Sequence, residues 1–234
     1  MLDLFGTAIL DYQTNNNPQD LITSTNISDL DEMSIAYLYR NFDQMPIIEQ
    51  QALLQARGKV LDVGCGAGSH SLYLQNVIGL EVTSIDVSKN AIKACENRGL
   101  SNAICSNLLD LKTYKYDTIL LLMNGTGIFE NLKKVPTYLH KLKTLLAIDG
   151  QILIDSSDLA YMYDPDDLSY FKNNPDLYYG ELTFEISYKN QTEKPFDWLY
   201  LDYQKLHDIC IKNNLHCQKI LQGDHHDFLA RITL

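Results

Sequence analysis

From Lys59 onward the chain alternates between a two-residue and a helical hydrophobic period, and that alternation decides what it can fold into. Short β-branched runs, KVLDV (59–63), LEVTSID (80–86), NAICS (102–106), YDTILLL (116–122) and QILIDS (151–156), are separated by the helical stretches SHSLYLQNVI, SKNAIKACENRG and NLKKVPTYLHKLKTLLA. Such a β-α-β series implies an α/β fold with a mainly parallel sheet covered by helices on both faces. In open sheets of this kind ligands bind beyond the carboxyl ends of the strands, near the point where strand order reverses. The first such end reads KVLDVGCGAG, with three glycines spaced Gly64-x-Gly66-x-Gly68 and a carboxylate, Asp62, just before them.

The flanks look different. Residues 1–56 contain a polar Asn-rich loop (Thr14 to Gln19) and two helical candidates, Glu32 to Arg40 and Ile47 to Ala56. After the fifth strand, residues 157–180 are rich in Asp, Tyr, Asn and Pro, which predicts a loop with short helical turns. Two strand-like runs follow, ELTFEISYKN and FDWLYLD, then a helix (Tyr203 to Asn214) and the closing pair LHCQKILQ and DFLARITL. The expectation is one domain over 1–234: an N-terminal helical cap segment (1–56), a doubly wound core (57–156), a cap insertion with extra strands (157–202), and a last helix with an antiparallel hairpin (203–234) that completes a seven-stranded sheet.

Charge narrows the partners. The net charge is -11, and it is uneven: residues 1–50 hold eight acids against one arginine, and residues 151–200 hold ten acids against three lysines. No basic stripe offsets these blocks, so nucleic acid is disfavoured and a small molecule is expected. No run approaches the ~20 apolar residues of a membrane helix, and MLDLFGTAILDYQ lacks the basic n-region of a secretory signal. A soluble, cytoplasmic, membrane-free protein is therefore expected. The five cysteines are odd in number without a C-x-x-C pair, which reads as reduced thiols and no metal site.

The position of Asp62 separates two ligand classes. A dinucleotide brings a pyrophosphate to the helix that follows the loop, and a carboxylate beside it would repel that anion. S-adenosylmethionine brings an ammonium and a sulfonium, both of which a carboxylate attracts. The loop also continues Gly68-Ser69-His70, without the last glycine of G-x-G-x-x-G. At the end of the second strand, Asp86 can accept both hydrogen bonds of a ribose diol, a feature shared with NAD sites.

Taken in order, VLDVGCGAG, EVTSIDVS, CSNLLDL, KYDTILLLMNGTG and GQILIDSSD resemble the class I S-adenosylmethionine-dependent methyltransferases, a Rossmann-like fold, in a bacterial small-molecule-type branch. The resemblance covers residues 55–156 closely and the closing hairpin more loosely. It implies S-adenosylmethionine as cofactor and S-adenosylhomocysteine as product. It further implies that Asp62, Gly64, Cys65, Gly66 and Gly68 hold the methionine moiety and that Asp86 holds the ribose hydroxyls. Val87 would pack on the adenine. Asn107, beside Leu108, stands where the family has an acid for the adenine amino group, and its amide oxygen can accept the same bond. Met123 and Asn124 match the segment facing the methyl group and acceptor.

Other candidates stand beside these. His70 can contact the cofactor or the acceptor, or lie on the helix surface. With Asp155 it is a candidate general base, needed only if the acceptor is protonated. Cys65 reads as a small loop residue rather than a nucleophile. His225 and His226, adjacent in an extended segment, point to opposite faces and do not share a metal. Tyr12, Tyr37, Asn124 and Tyr161 are the candidates for an acceptor pocket. The activity expected is in-line methyl transfer to a small molecule. A non-catalytic cofactor-binding sensor or partner subunit is the alternative, and an NAD-linked oxidoreductase the weaker one.

Overall fold

A computed structural model describes residues 2–112, 114–174 and 176–234. The chain opens with α1 (Leu4–Thr14), the hairpin β1 (Leu21–Thr25) and β2 (Ser28–Met33), a 3-10 turn (Ile35–Tyr39) and α2 (Ile47–Gln55). The core follows as β3 (Lys59–Val63), α3 (Ser69–Tyr73), β4 (Glu81–Asp86), α4 (Lys89–Asn97), β5 (Ala103–Cys105), β6 (Tyr116–Leu121), α5 (Val135–Leu145) and β7 (Leu146–Ser157). Then come α6 (Pro165–Asn173), β8 (Glu181–Tyr188), β9 (Gln191–Thr192), β10 (Phe196–Leu199), α7 (Tyr203–Lys212), β11 (His216–Gln222) and β12 (Asp227–Thr233).

Seven strands form the main sheet in the order β11-β12-β7-β6-β3-β4-β5. The five from β7 to β5 are parallel, while β12 pairs antiparallel with β7 and β11 antiparallel with β12. Strand order reverses between β3 and β6, so the glycine loop lies at the switch point. Strand alternation sorts the core between the two faces. Leu61, Ile119, Ile152 and Ala230 pack on α5 and α7 through Leu139 and Leu206. Val60, Leu120, Leu153 and Leu229 pack on Ile48, Leu53 and Leu74. By the same alternation Asp62 and Asp155 belong to the α2 and α3 face.

The second sheet corrects the reading of the N-terminus. Of the Glu32 to Arg40 helix only the 3-10 turn Ile35–Tyr39 forms, and Glu32 and Met33 belong to β2. Instead, β1 pairs with β2 on one side and with β8 on the other, giving the order β10-β8-β1-β2 with β9 on β8. Pairing with a strand about 160 residues away decides this, and such a partner leaves no trace in local periodicity. The helix α1, unanticipated, is capped by Asp3, whose carboxylate accepts the Gly6 N–H, and closes at Asn15 in the left-handed region. Thus both acidic flanks form one antiparallel cap. Polar bonds fasten that cap to the core: Thr126 Oγ1 donates to Leu199 O at 2.9 Å, and Leu201 N–H donates to Ser156 Oγ at 2.8 Å.

Candidate active site

Two half-sites meet at the carboxyl ends of the parallel strands, and the first is mostly backbone. Gly64, Gly66 and Gly68 take φ of 74°, 53° and 80°, a region glycine enters without steric cost. At Gly68 a Cβ would also stand 2.7 Å from Leu100 Cδ1 and 2.9 Å from Cys95 Sγ. The Gly64 and Cys65 N–H groups donate to Ile85 O at 2.8 and 3.0 Å, pinning the loop to β4. Gly66 N–H donates to Asp86 Oδ2 at 3.0 Å, and Ser88 N–H to Asp86 Oδ1 at 2.8 Å. Burial raises the Asp86 pKa against these two bonds, with Asp3 and Asp62 adding repulsion. Each oxygen retains a lone pair, as reception of a ribose diol requires.

The neighbours of this loop differ in exposure. Val87 is 70% exposed, an apolar side chain one residue past Asp86 and open to a planar ring. Asn107 is exposed, and its Oδ1 accepts the Leu109 N–H at 2.8 Å, while Leu108 is buried. Asp62 lies beneath the loop, buried, and accepts from Ser71 Oγ at 2.6 Å; Ser84 Oγ donates in turn to Ser71 Oγ at 2.7 Å. Burial raises the Asp62 pKa, opposed by His70 and the Ser71 bond. The Cys65 thiol sits 3.9 Å from Cys95 Sγ, and that neighbour together with burial pushes its pKa up, the reverse of what activates a thiol nucleophile.

The second half-site is made of side chains. A cavity of about 230 Å³ is lined by Tyr37, Pro46, Ile48, Glu49, Met123, Asp155, Ser157 and Asp227. It joins the N-terminal segment to the ends of β6, β7 and β12. At its wall Glu49 is buried and doubly paired. Arg40 Nη2 donates to its two oxygens at 2.6 and 2.8 Å, and His70 Nε2 lies 2.7 Å from Oε2. The Arg40 guanidinium also stacks on the Tyr37 ring, 3.2 Å from the centroid. Burial disfavours the Glu49 charge, but His70 and Arg40 outweigh it and lower the pKa. Burial likewise disfavours charge on His70, yet Glu49, Asp62 and Asp155 raise its pKa. His70 is therefore a buried, paired group rather than a helix-surface one.

Asp155, at the end of β7, accepts the Gly125 N–H on Oδ1 at 2.9 Å. Burial pushes its pKa up to about 6 even though the Gly125 and Asn124 amides favour the anion. Next to it, Met123 and Asn124 hold φ of 64° and 60°, uncommon for residues other than glycine and of the kind that collects at ligand sites. This bend lets Met123 line the cavity. Asn124 turns to the cap instead, donating to Leu199 O at 3.5 Å and accepting from Ser156 Oγ at 3.1 Å.

Of the tyrosines expected around an acceptor, Tyr37 lines the cavity, while Tyr12 and Tyr161 stand outside it. Tyr12 packs on Tyr39 with centroids 4.6 Å apart, and Tyr161 stacks on His226 at 4.6 Å. Glu49, Arg40 and Asp227 escaped the sequence reading. Glu49 did carry a signal: it shares the buried face of α2 with Ala52 and Leu53, at i+3 and i+4, where an unpaired carboxylate would be costly.

Comparison with known proteins bears on this geometry. The family described as "Methyltransferase domain" matches residues 60–150. A crystal structure of an S-adenosylmethionine-dependent methyltransferase from Bacteroides fragilis, in complex with S-adenosyl-L-homocysteine, superimposes with a TM-score of 0.90. It is 40% identical, over 99% of this chain and 94% of that one. The (S)-coclaurine N-methyltransferase of Thalictrum flavum subsp. glaucum is 31% identical over 148 residues, 58% of this chain. The chain aligns to only about a third of the length of the curated relatives it matches, from 31% to 38%.

Proposed function

Since this chain belongs to the S-adenosylmethionine-dependent methyltransferase family, we propose that it transfers the sulfonium methyl group of S-adenosylmethionine to a small molecule and releases S-adenosylhomocysteine. The observation that carries this reading is the adjacency of the two half-sites. The loop at Gly64–Gly68 with Asp86 suits an adenosyl ligand, and the cavity lined by Tyr37, Met123 and Asp155 begins where β6 and β7 end beside it. The S-adenosylhomocysteine bound in the Bacteroides fragilis relative supports the cofactor. The small-molecule enzyme of Thalictrum supports the acceptor class.

The chain's own residues would bind and align. The loop and Asp86 fix the nucleoside, Val87 and Asn107 flank the adenine, and the cavity orients the acceptor for in-line attack. Because the sulfonium is already activated, holding the two reactants in line and excluding water supplies most of what the step needs. The acidic wall favours a neutral or cationic acceptor over nucleic acid or a polyphosphate. No described helix is long and apolar enough to cross a membrane, and we place the reaction in the cytoplasm.

The test is a thermal-shift titration followed by turnover. S-adenosylmethionine and S-adenosylhomocysteine should each raise the melting temperature with micromolar midpoints, as ligands selective for the folded state do, and NAD should not. Methyl-labelled S-adenosylmethionine incubated with a small-molecule extract should label a product. Stabilisation by NAD alone would return the oxidoreductase reading, and binding without any labelled product would return the sensor reading.

A further inference from the structure

We propose that the methylated group is an amine nitrogen that enters as its ammonium ion, and that Asp155 accepts the proton which must leave before the nitrogen lone pair can attack. This rests on the methyl-transfer reading above and adds the acceptor atom and its base.

Three carboxylates line the cavity, Glu49, Asp155 and Asp227, and none of its lining residues is basic. They are not equivalent. The Glu49 charge is already answered by Arg40 and His70. Asp155 is 8% exposed and lines the cavity, yet no described side chain donates to it; its partners are the backbone amides of Gly125 and Asn124. A buried carboxylate with no side-chain donor, whose cationic neighbour His70 is already hydrogen-bonded to Glu49, is costly to keep. An ammonium in the cavity supplies the missing donors and a charge directly on Asp155, whereas a carboxylate, phosphate or phenolate would add a like charge to a low-dielectric wall.

Charged and titratable groups face Asp155 from each surrounding element. Glu49 comes from α2, His70 from α3, Tyr200 from the segment after β10, and Asp227 from the start of β12. Burial, with Glu49 adding to it, raises the Asp155 pKa to about 6. The group is thus ionised at neutral pH and a stronger base than an ordinary carboxylate, as proton abstraction wants. The step balances simply. The N–H bond breaks and its proton goes to Asp155. The freed lone pair forms the N–CH3 bond while the S–CH3 pair returns to sulfur, leaving S-adenosylhomocysteine. The methylated product keeps the remaining N–H protons and one positive charge, and Asp155 releases the proton it took to solvent. Glu49, held by Arg40, positions His70 beside this carboxylate and keeps the remaining charge of the wall balanced.

The experiment uses the protein saturated with S-adenosylhomocysteine and a ligand-observed NMR screen of matched probes: tyramine, phenethylamine and piperidine against p-cresol, phenylacetate and phenyl phosphate. The amines should bind in preference, and Asp155→Asn, checked for folding by circular dichroism, should weaken them by at least about 30-fold, as loss of a buried charge partner does. Affinity for S-adenosylhomocysteine and S-adenosylmethionine should be unchanged. For an amine that turns over, kcat/KM should rise through about pH 6, and in the variant that limb should vanish with a loss of about 10²–10⁴-fold. Tighter binding of the phenol or carboxylate, or amine binding indifferent to Asp155→Asn, overturns the proposal. So does a variant weakened for S-adenosylmethionine but not for S-adenosylhomocysteine, which would give the charge to the sulfonium instead. If neither sulfur ligand binds the wild type, the methyl-transfer reading itself has failed.

Discussion

The two half-sites are built from different materials. The proposed cofactor side is, apart from Asn107, contiguous from Asp62 to Val87, and it is built from backbone N–H groups, three left-handed glycines and one carboxylate. The acceptor side draws Tyr37 and Glu49 from the N-terminal segment, Met123, Asp155 and Ser157 from the core, and Asp227 from the last strand. A backbone-built loop tolerates few changes and serves one ligand shape. A side-chain wall assembled across the fold can change one residue at a time, so on the proposed function it is where acceptor choice would reside.

The largest expected effect breaks the acceptor wall. Glu49→Ala leaves Arg40 and His70 buried without their partner and should cost about 3–5 kcal/mol in urea denaturation near pH 6. Because the folded His70 pKa is raised, its share of that stability is complete below its unfolded value and is lost as pH rises through the folded one. Glu49 has the opposite sign, contributing above its unfolded value and failing as pH falls through its depressed folded value. The penalty of the variant should therefore shrink at pH 9, and a pH-independent loss would mean that packing, not charge, holds this corner together.

Asp155 should behave in the contrary sense. Its folded pKa of about 6 lies above its ordinary value of 3.8, so folding favours the protonated form. The resulting penalty is absent below the ordinary value, grows between the two and is complete above pH 6. Asp155→Asn, which can still accept the Gly125 N–H, should gain up to about 3 kcal/mol at pH 8 and little at pH 4. A destabilised variant at pH 8 would contradict the picture of a carboxylate retained for chemistry at the expense of stability.

The smallest effect separates the tyrosines. Tyr37→Ala should lower kcat/KM by about 1 kcal/mol, several-fold, as loss of a pocket-lining aromatic does, and Tyr161→Ala should lower it less. Equal losses would mean that the cavity extends past the stacked pair Tyr161 and His226.

What the sequence revealed follows the same division. The β3 to β7 series, the loop and Asp86 were legible because each is written in neighbouring residues whose spacing forces the backbone. Strand parity also carries Asp62 and Asp155 to one face without further knowledge. The hairpin of β1 and β2 was not legible, since its identity depends on β8, nor was the pairing of Glu49 with His70 and Arg40, three residues on three elements. Tyr12 and Tyr161 illustrate the same limit: an aromatic residue in the right segment turns to whichever surface packs best, and local sequence does not say which.

One calorimetric series reaches the centre of this account, titration of S-adenosylhomocysteine into the wild type, Asp86→Ala and Asp155→Asn. The wild type should bind in the micromolar range, Asp86→Ala should lose about 1.5–3 kcal/mol, the worth of hydrogen bonds to a charged group, and Asp155→Asn should match the wild type. A dissociation constant unchanged in Asp86→Ala, or equally weakened in both variants, would contradict the division of the site into a cofactor half and an acceptor half.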